Sequence, residues 1–194
     1  GFKVRLAIAK AYDRDRVIQR GLFGRAVPAF GTINPAMGFY FDTAINDTSE
    51  QKFDVEAAQQ LLADAGFPNG EGFPTLKLVT TPAGRRVAEV VVAMYKENLN
   101  IELELDAKDF TILTEDANRM NYDLLNLGSG GDFDPDDGLV DWMLTDSRFN
   151  GPNRNDADLV ETFGERPFGF YSVTEVDELI AEQAITADPE ARKA

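Results

Sequence analysis

Neither cysteine nor histidine occurs in the sequence. Without cysteine there are no disulfides, thiolate-bound zinc or iron–sulfur centres and no thiol nucleophile, although the absence is neutral about cellular compartment. Without histidine, Ser-His-Asp triads, imidazole acid–base catalysis and histidine-ligated zinc are excluded. Positive charge is scarce as well: 19 Lys and Arg stand against 34 Asp and Glu, a net charge of -15. Such a chain repels duplex nucleic acid and anionic membrane on approach, so no nucleic-acid partner is expected. No run approaches the roughly 20 apolar residues of a membrane span, and the first residues show no signal-peptide pattern.

What is present suffices for a packed interior. Apolar residues make up 43% of the 194 positions, and a domain of this length buries about 70% of its unfolded surface without a metal or disulfide staple. The chain reads as one α/β unit over 1–194. Both ends look cut from something larger: Gly1 runs directly into a helical pattern, and Asp188-Pro189-Glu190-Ala191-Arg192 reads as an N-cap and first-turn proline of a helix that then stops.

Val4, Ala7, Ile8 and Ala11 fall on one helical face, and Asp13 recaps a turn carrying Val17 and Ile18 that ends at Gly21 and Gly24. Residues 25–52 read as a long loop rich in Pro, Gly and aromatics, either packed over the core or lining a cleft. Asp54 caps a helix whose stripe is Ala58, Leu61, Leu62 and Ala65, ended by Gly66. The turn-rich stretch 68–72 then divides the chain into two halves. Beyond it come a strand (76–80), a helix (85–99), a strand (101–105), a helix (110–120) and a strand (122–127). That alternation predicts βαβαβ with parallel strands and right-handed crossovers, flanked by helices and long loops. Glu102 and Glu104 between Ile101, Leu103 and Leu105 place the middle strand at an edge or give it one wet face. Ser172 with Glu175 makes a capping box for a helix bearing Val176, Leu179 and Ile180.

The third strand runs into Gly128-Ser129-Gly130-Gly131 and then Asp132-Phe133-Asp134-Pro135-Asp136-Asp137. Ligands in open α/β sheets lie beyond the carboxyl ends of the strands, which makes this segment the best-placed site. Its glycines match no phosphate-loop spacing, and the neighbouring aspartates repel phosphate. The Asp132-x-Asp134-x-Asp136 spacing suggests a calcium loop, but the sixth position is Asp137 instead of glycine and the twelfth is Met143 instead of glutamate. Asp134-Pro135 reads as a helix N-cap with proline at N1. Two alternatives from other classes stay open: a small acidic enzyme or phosphoacceptor using Asp132 and Asp134, and a calcium-dependent interaction module.

Three groups of residues carry a resemblance: Val4-Arg5-x-Ala7 with Ala11 and Asp13-Arg14; the Ala57-x-x-x-Leu61-Leu62-x-x-Ala65-Gly66-Phe67-Pro68-x-Gly70 run; and Tyr122-Asp123, Asp132-Phe133-Asp134-Pro135, Val176-Asp177 and Asp188-Pro189-x-x-Arg192. The ordered set resembles the family 5 solute-binding proteins of bacterial ABC importers. The resemblance implies a periplasmic-binding-protein-like lobe, the C-terminal part of a larger clamshell whose N-terminal lobe and hinge are absent, with no catalytic set and no cofactor. It implies a peptide or small-solute ligand, a membrane permease as partner, and a periplasmic or extracellular location, with a lipoprotein tether in some members. By the same resemblance Asp132 stands where such proteins pair a carboxylate with a ligand ammonium group, a strong charge-assisted contact. Ser129 replaces an aromatic, Phe110 stands for another aromatic, and Asn126 replaces a basic side chain. With Gly130, Gly131 and Phe133 these form the expected ligand-binding set. The replacements leave the ligand open between a peptide and a more polar, neutral solute such as a sugar or an opine. Direct nickel binding is disfavoured by the absence of histidine.

Overall fold

The computed structural model describes residues 1–119, 121–128, 134–145 and 173–193. These belong to two compact units: one of Gly1–Phe30, Ala44–Asp116 and Asn121–Gly128, the other of Gly31–Thr43, Ala117–Met120 and Ser129–Ala194.

The first unit opens with helices α1 (Phe2–Lys10) and α2 (Arg14–Gly21). The Asp13 carboxylate accepts from Arg16 N at 2.9 Å, the cap expected at the start of α2. After a short helix α3 (Ile45–Thr48), Asp54 caps α4 (Val55–Asp64) by accepting from Ala57 N at 2.9 Å. Three strands follow, β1 (Leu76–Thr80), β2 (Leu103–Ala107) and β3 (Leu124–Asn126), with α5 (Arg85–Leu99) and α6 (Phe110–Asn118) as crossovers. The sheet is parallel throughout, in the order β2-β1-β3. The fold is the α/β βαβαβ arrangement read from the sequence.

Consecutive residues of β1, Leu78, Val79 and Thr80, are all buried, so this central strand is covered on both faces. Leu78 joins a core with Ala7, Ala11, Ala58, Leu62, Met94 and Leu103. The middle strand is an edge strand, as its glutamates indicated, but its ladder begins at Leu103, two residues later than the apolar alternation. Ile101 is buried before pairing starts, which is why alternation alone placed the strand early.

Residues 68–72 do not divide the chain. The turn at Pro68–Gly70 packs against the end of α5: Asn100 Nδ2 donates to Asn69 O at 3.0 Å, and a Cβ on Gly70 would lie 2.5 Å from Leu99 O. Gly70 has φ +73, so both space and backbone geometry require glycine there. The sequences before and after the turn share one core, and polar contacts tie them further. Tyr95 Oη donates to Ile8 O at 3.0 Å, and Asn98 Nδ2 donates to Ala11 O at 2.9 Å.

No residue between Leu22 and Lys52 is fully buried, so the aromatic-rich stretch does not enter the core. Its flanks are gripped by Arg14, whose Nε donates to Ala29 O at 3.1 Å and whose Nη1 donates to Gln51 O at 3.0 Å. The Arg14 guanidinium lies 4.2 Å from the Phe30 ring centroid.

In the second unit, α7 (Pro135–Trp142) is capped by Asp134, which accepts from Asp136 N at 2.9 Å, as the Asp-Pro pair predicted. Helix α8 (Thr174–Ile185) has Val173 at its N-cap and no side-chain cap. The capping box read at Ser172 rests on a residue outside the described ones. Ile180 is buried while Leu179 is 62% exposed, so the apolar stripe of α8 is narrower than the sequence suggested. Asp188 caps α9 (Pro189–Lys193) through Ala191 N at 2.9 Å.

Candidate functional site

The three strands end abreast: the ladder pairs Thr80 with Ala107 on one side and with Asn126 on the other. The carboxyl edge of the sheet is thus one line of residues, and the segments that leave it carry the candidate site. At its centre Thr80 is fully buried. Its hydroxyl donates to Asn126 O at 3.0 Å and accepts from Asn126 Nδ2 at 2.9 Å, and the same amide donates to Gly84 O at 3.2 Å. Asn126, predicted as a ligand contact, therefore spends both amide hydrogens on joining β3 to β1 and to the start of α5. Its side-chain oxygen is what it has to offer beyond the sheet. A Cβ on Gly84 would sit 2.4 Å from Thr80 Oγ1 and 2.9 Å from Asn126 Nδ2, so glycine is required for the close approach.

The β2 end is built by charge. Lys108 N donates to Thr80 O at 2.9 Å, and its ammonium bridges Asp106 at 3.0 Å and Asp116 of α6. Lys77 also pairs with Asp106, at 3.4 Å, and Asn121 Nδ2 donates to Asp116 at 3.0 Å. The hydrogen bond from Lys108 holds both carboxyls below the usual carboxylate range, and the Asp116 carboxylate in turn raises the lysine above its ordinary value. This network fixes the turn between β2 and α6. Phe110 opens α6 immediately after it and is 56% exposed, while Leu113 on the same helix is fully buried. The sequence missed this bridge; its signal was the Asp106-x-Lys108 spacing with an acid eight residues further on.

The structure thus places Phe110 and Asn126 at the carboxyl edge, at the ends of the two outer strands. Ser129, Gly130, Gly131, Asp132 and Phe133 lie outside the described residues. Of the acidic run that follows, Asp134 has both oxygens engaged: Arg192 Nη1 donates to Oδ2 at 2.9 Å and Arg192 Nη2 donates to Oδ1. The guanidinium is the first cause of its depressed pKa. Asp136 accepts from Gln183 Nε2. No group of three or more acidic side chains gathers as a metal site among the described residues. Aspartates in the motifs noted above instead hold backbone in place: Asp123 accepts from Lys77 N at 2.7 Å and Asp177 from Thr145 N at 2.8 Å.

Residues 2–151 match the model of the bacterial extracellular solute-binding proteins, family 5 Middle. The chain belongs to this family. Among family 5 relatives, it is 27% identical over 140 residues to the oligopeptide-binding protein OppA of Bacillus subtilis (strain 168), covering 67% of this chain and 25% of OppA. It is 25% identical over 157 residues to the periplasmic murein peptide-binding protein MppA of Escherichia coli (strain K12), covering 77% of this chain and 29% of MppA. The crystal structure of the periplasmic oligopeptide-binding protein OppAIV from Borrelia burgdorferi superimposes with a TM-score of 0.70 and 28% identity, over 98% of this chain and 34% of that one. The chain therefore spans about a quarter to a third of these relatives. The family and the periplasmic-binding-protein-like fold expected from the motifs are both those found.

Proposed function

We propose that this chain is the lobe of an ABC importer's substrate-binding component that contacts the ligand at the carboxyl edge of its sheet. The remainder of the receptor supplies the opposing wall. The ligand is a peptide or a similar small solute, held outside the cytoplasm and passed to a membrane permease. The observation that carries this reading is an exposed aromatic, Phe110, fixed at the carboxyl edge of a parallel sheet by the Lys108 bridge, in a family 5 chain. Asp132 would meet a ligand ammonium group, Phe110 and Phe133 its apolar parts, and Ser129, Gly130, Gly131 and the Asn126 oxygen its polar groups. The names of OppA and MppA, both peptide-binding, support the ligand class.

Calorimetry of the full-length receptor with tri-alanine tests the reading. Asp132→Asn keeps the size of the side chain but removes the counter-charge, and should cost on the order of 2 to 5 kcal/mol of binding with stability changed by only about 0.5 kcal/mol. Phe110→Ala should weaken binding by about tenfold. Unchanged affinity in both variants would remove this edge from the site.

A further inference from the structure

From Arg16 to Phe41 the strongly acidic chain contains no acidic residue, yet it carries three arginines there. Within this window the run Leu22 to Pro28 is exposed at every position, with Phe23 59% and Val27 65% exposed. Phe23 holds φ +57, a left-handed backbone that favours glycine and that a bulky residue rarely adopts. Two guanidiniums flank its ring, Arg86 at 4.7 Å and Arg25 at 5.6 Å from the centroid. Both arginines are exposed, and neither has a carboxylate partner among the described residues. The patch exists because α2 ends against the start of α5: Gly21 is buried, with Val87 Cγ2 3.1 Å from where its Cβ would be. An outward aromatic held at a strained position between two cations that have no carboxylate partner among the described residues is an anchor whose complement is not among those residues.

Its position selects the occupant. Arg86 is the second residue of α5, the helix that follows the carboxyl end of β1. The patch therefore lies beside the edge where the ligand is proposed to bind, on residues outside the proposed contact set. A receptor that hands its ligand onward must present that edge to the recipient, and a basic, aromatic point on an otherwise acidic surface complements an acidic one. Resting on the proposed importer role, we propose that Phe23, Arg25 and Arg86 form the docking point for an acidic segment of the importer's membrane permease.

The test measures binding of the full-length receptor to its permease complex in nanodiscs, at low and at moderate salt. Arg25→Glu with Arg86→Glu should weaken binding by at least about tenfold and flatten its salt dependence. Phe23→Ala should weaken it by about fivefold. Lys96→Glu, ten residues further along α5 and so about 15 Å away, makes one of the same charge reversals and should leave it within about twofold. This chain has no cysteine, so in a full-length receptor whose other cysteines, if it has any, are replaced, Phe23→Cys provides a single site for a bulky maleimide, which should label the free receptor and be blocked by the permease. Equal losses in Lys96→Glu and the arginine pair, unchanged affinity in the pair, or a Phe23→Cys that the rest of the receptor hides from the label would each overturn the docking point. Wild-type receptor that ignores the permease would instead sink the importer role, and tri-alanine calorimetry on the same variants should show unaltered ligand affinity.

Discussion

Met94 and Arg192 hold their respective units together by opposite means. Met94 is fully buried among Leu62, Tyr95, Leu99 and their neighbours, and even its sulfur is used, accepting from Asp13 N at 3.2 Å. Arg192 is a polar clasp: it grips both oxygens of Asp134, donates to Gln183 Oε1 at 2.9 Å, and lies 5.6 Å from the Tyr40 ring centroid. The first unit owes its order to area removed from water. The second, among its described residues, buries little beyond Pro135 and Ile180 and is joined by directed contacts such as Gln183 to Asp136 and Lys193 over Phe39. Burial is indifferent to salt and acid, whereas clasps of this kind respond to both.

The sharpest way to break this contrast is Met94→Ala, which leaves a cavity in a close-packed site and should cost about 2 to 5 kcal/mol, read from urea denaturation. A loss below about 1 kcal/mol would mean that the first unit is not held by its core. Gly84→Ala should come next, at about 1 to 3 kcal/mol, because the new methyl meets the Thr80 hydroxyl and the Asn126 amide. The combination with Thr80→Ala should recover part of that cost, and an additive double mutant would show that the close approach is not the cause.

Arg192→Met should cost only about 1 kcal/mol, since Asp134 is half exposed and the pair is partly screened. Its signature is regional: amide exchange should quicken in α7, α8 and α9 and stay unchanged in α5 and β1. The smallest effect is that of acid. Asp134 is held below its ordinary 3.8 by Arg192, so its contribution is fully present above that value and is lost as pH falls through the lower folded value. Lowering the pH from 7 towards 3 should therefore loosen α7 to α9 while the Met94 core keeps its protection. Lys108 with Asp106 and Asp116 has the same sign on the acid side, and Lys108→Met should remove that part of the pH dependence in the turn before α6. Uniform loosening of both units would erase the distinction.

Local contacts were legible in the sequence and distant ones were not. Asp13, Asp54, Asp134 and Asp188 each accept from a backbone N–H two or three residues on, a relation that spacing reveals. Asp123 and Asp177 do similar work for Lys77 and Thr145, 46 and 32 residues away, and although both stand in motifs, no local spacing reveals those partners. Helix α5 and strand β1 were readable because apolar periodicity there coincides with burial. The start of β2 was misplaced because Ile101 is buried without being paired. Phe110 was found at the edge, yet Lys108, which fixes it there, reads as an ordinary surface lysine until the fold brings Asp116 to it. The same holds for Arg192, a motif residue whose partner Asp134 lies 58 positions earlier.

Arg14 makes the stretch between Ala29 and Gln51 a loop with a closed neck. Since one side chain binds both ends, the distance between them does not depend on how many residues lie in between, and lengthening such a loop adds entropy only logarithmically. A protease cut between Gly31 and Thr43 would thus leave both stumps tethered at Arg14.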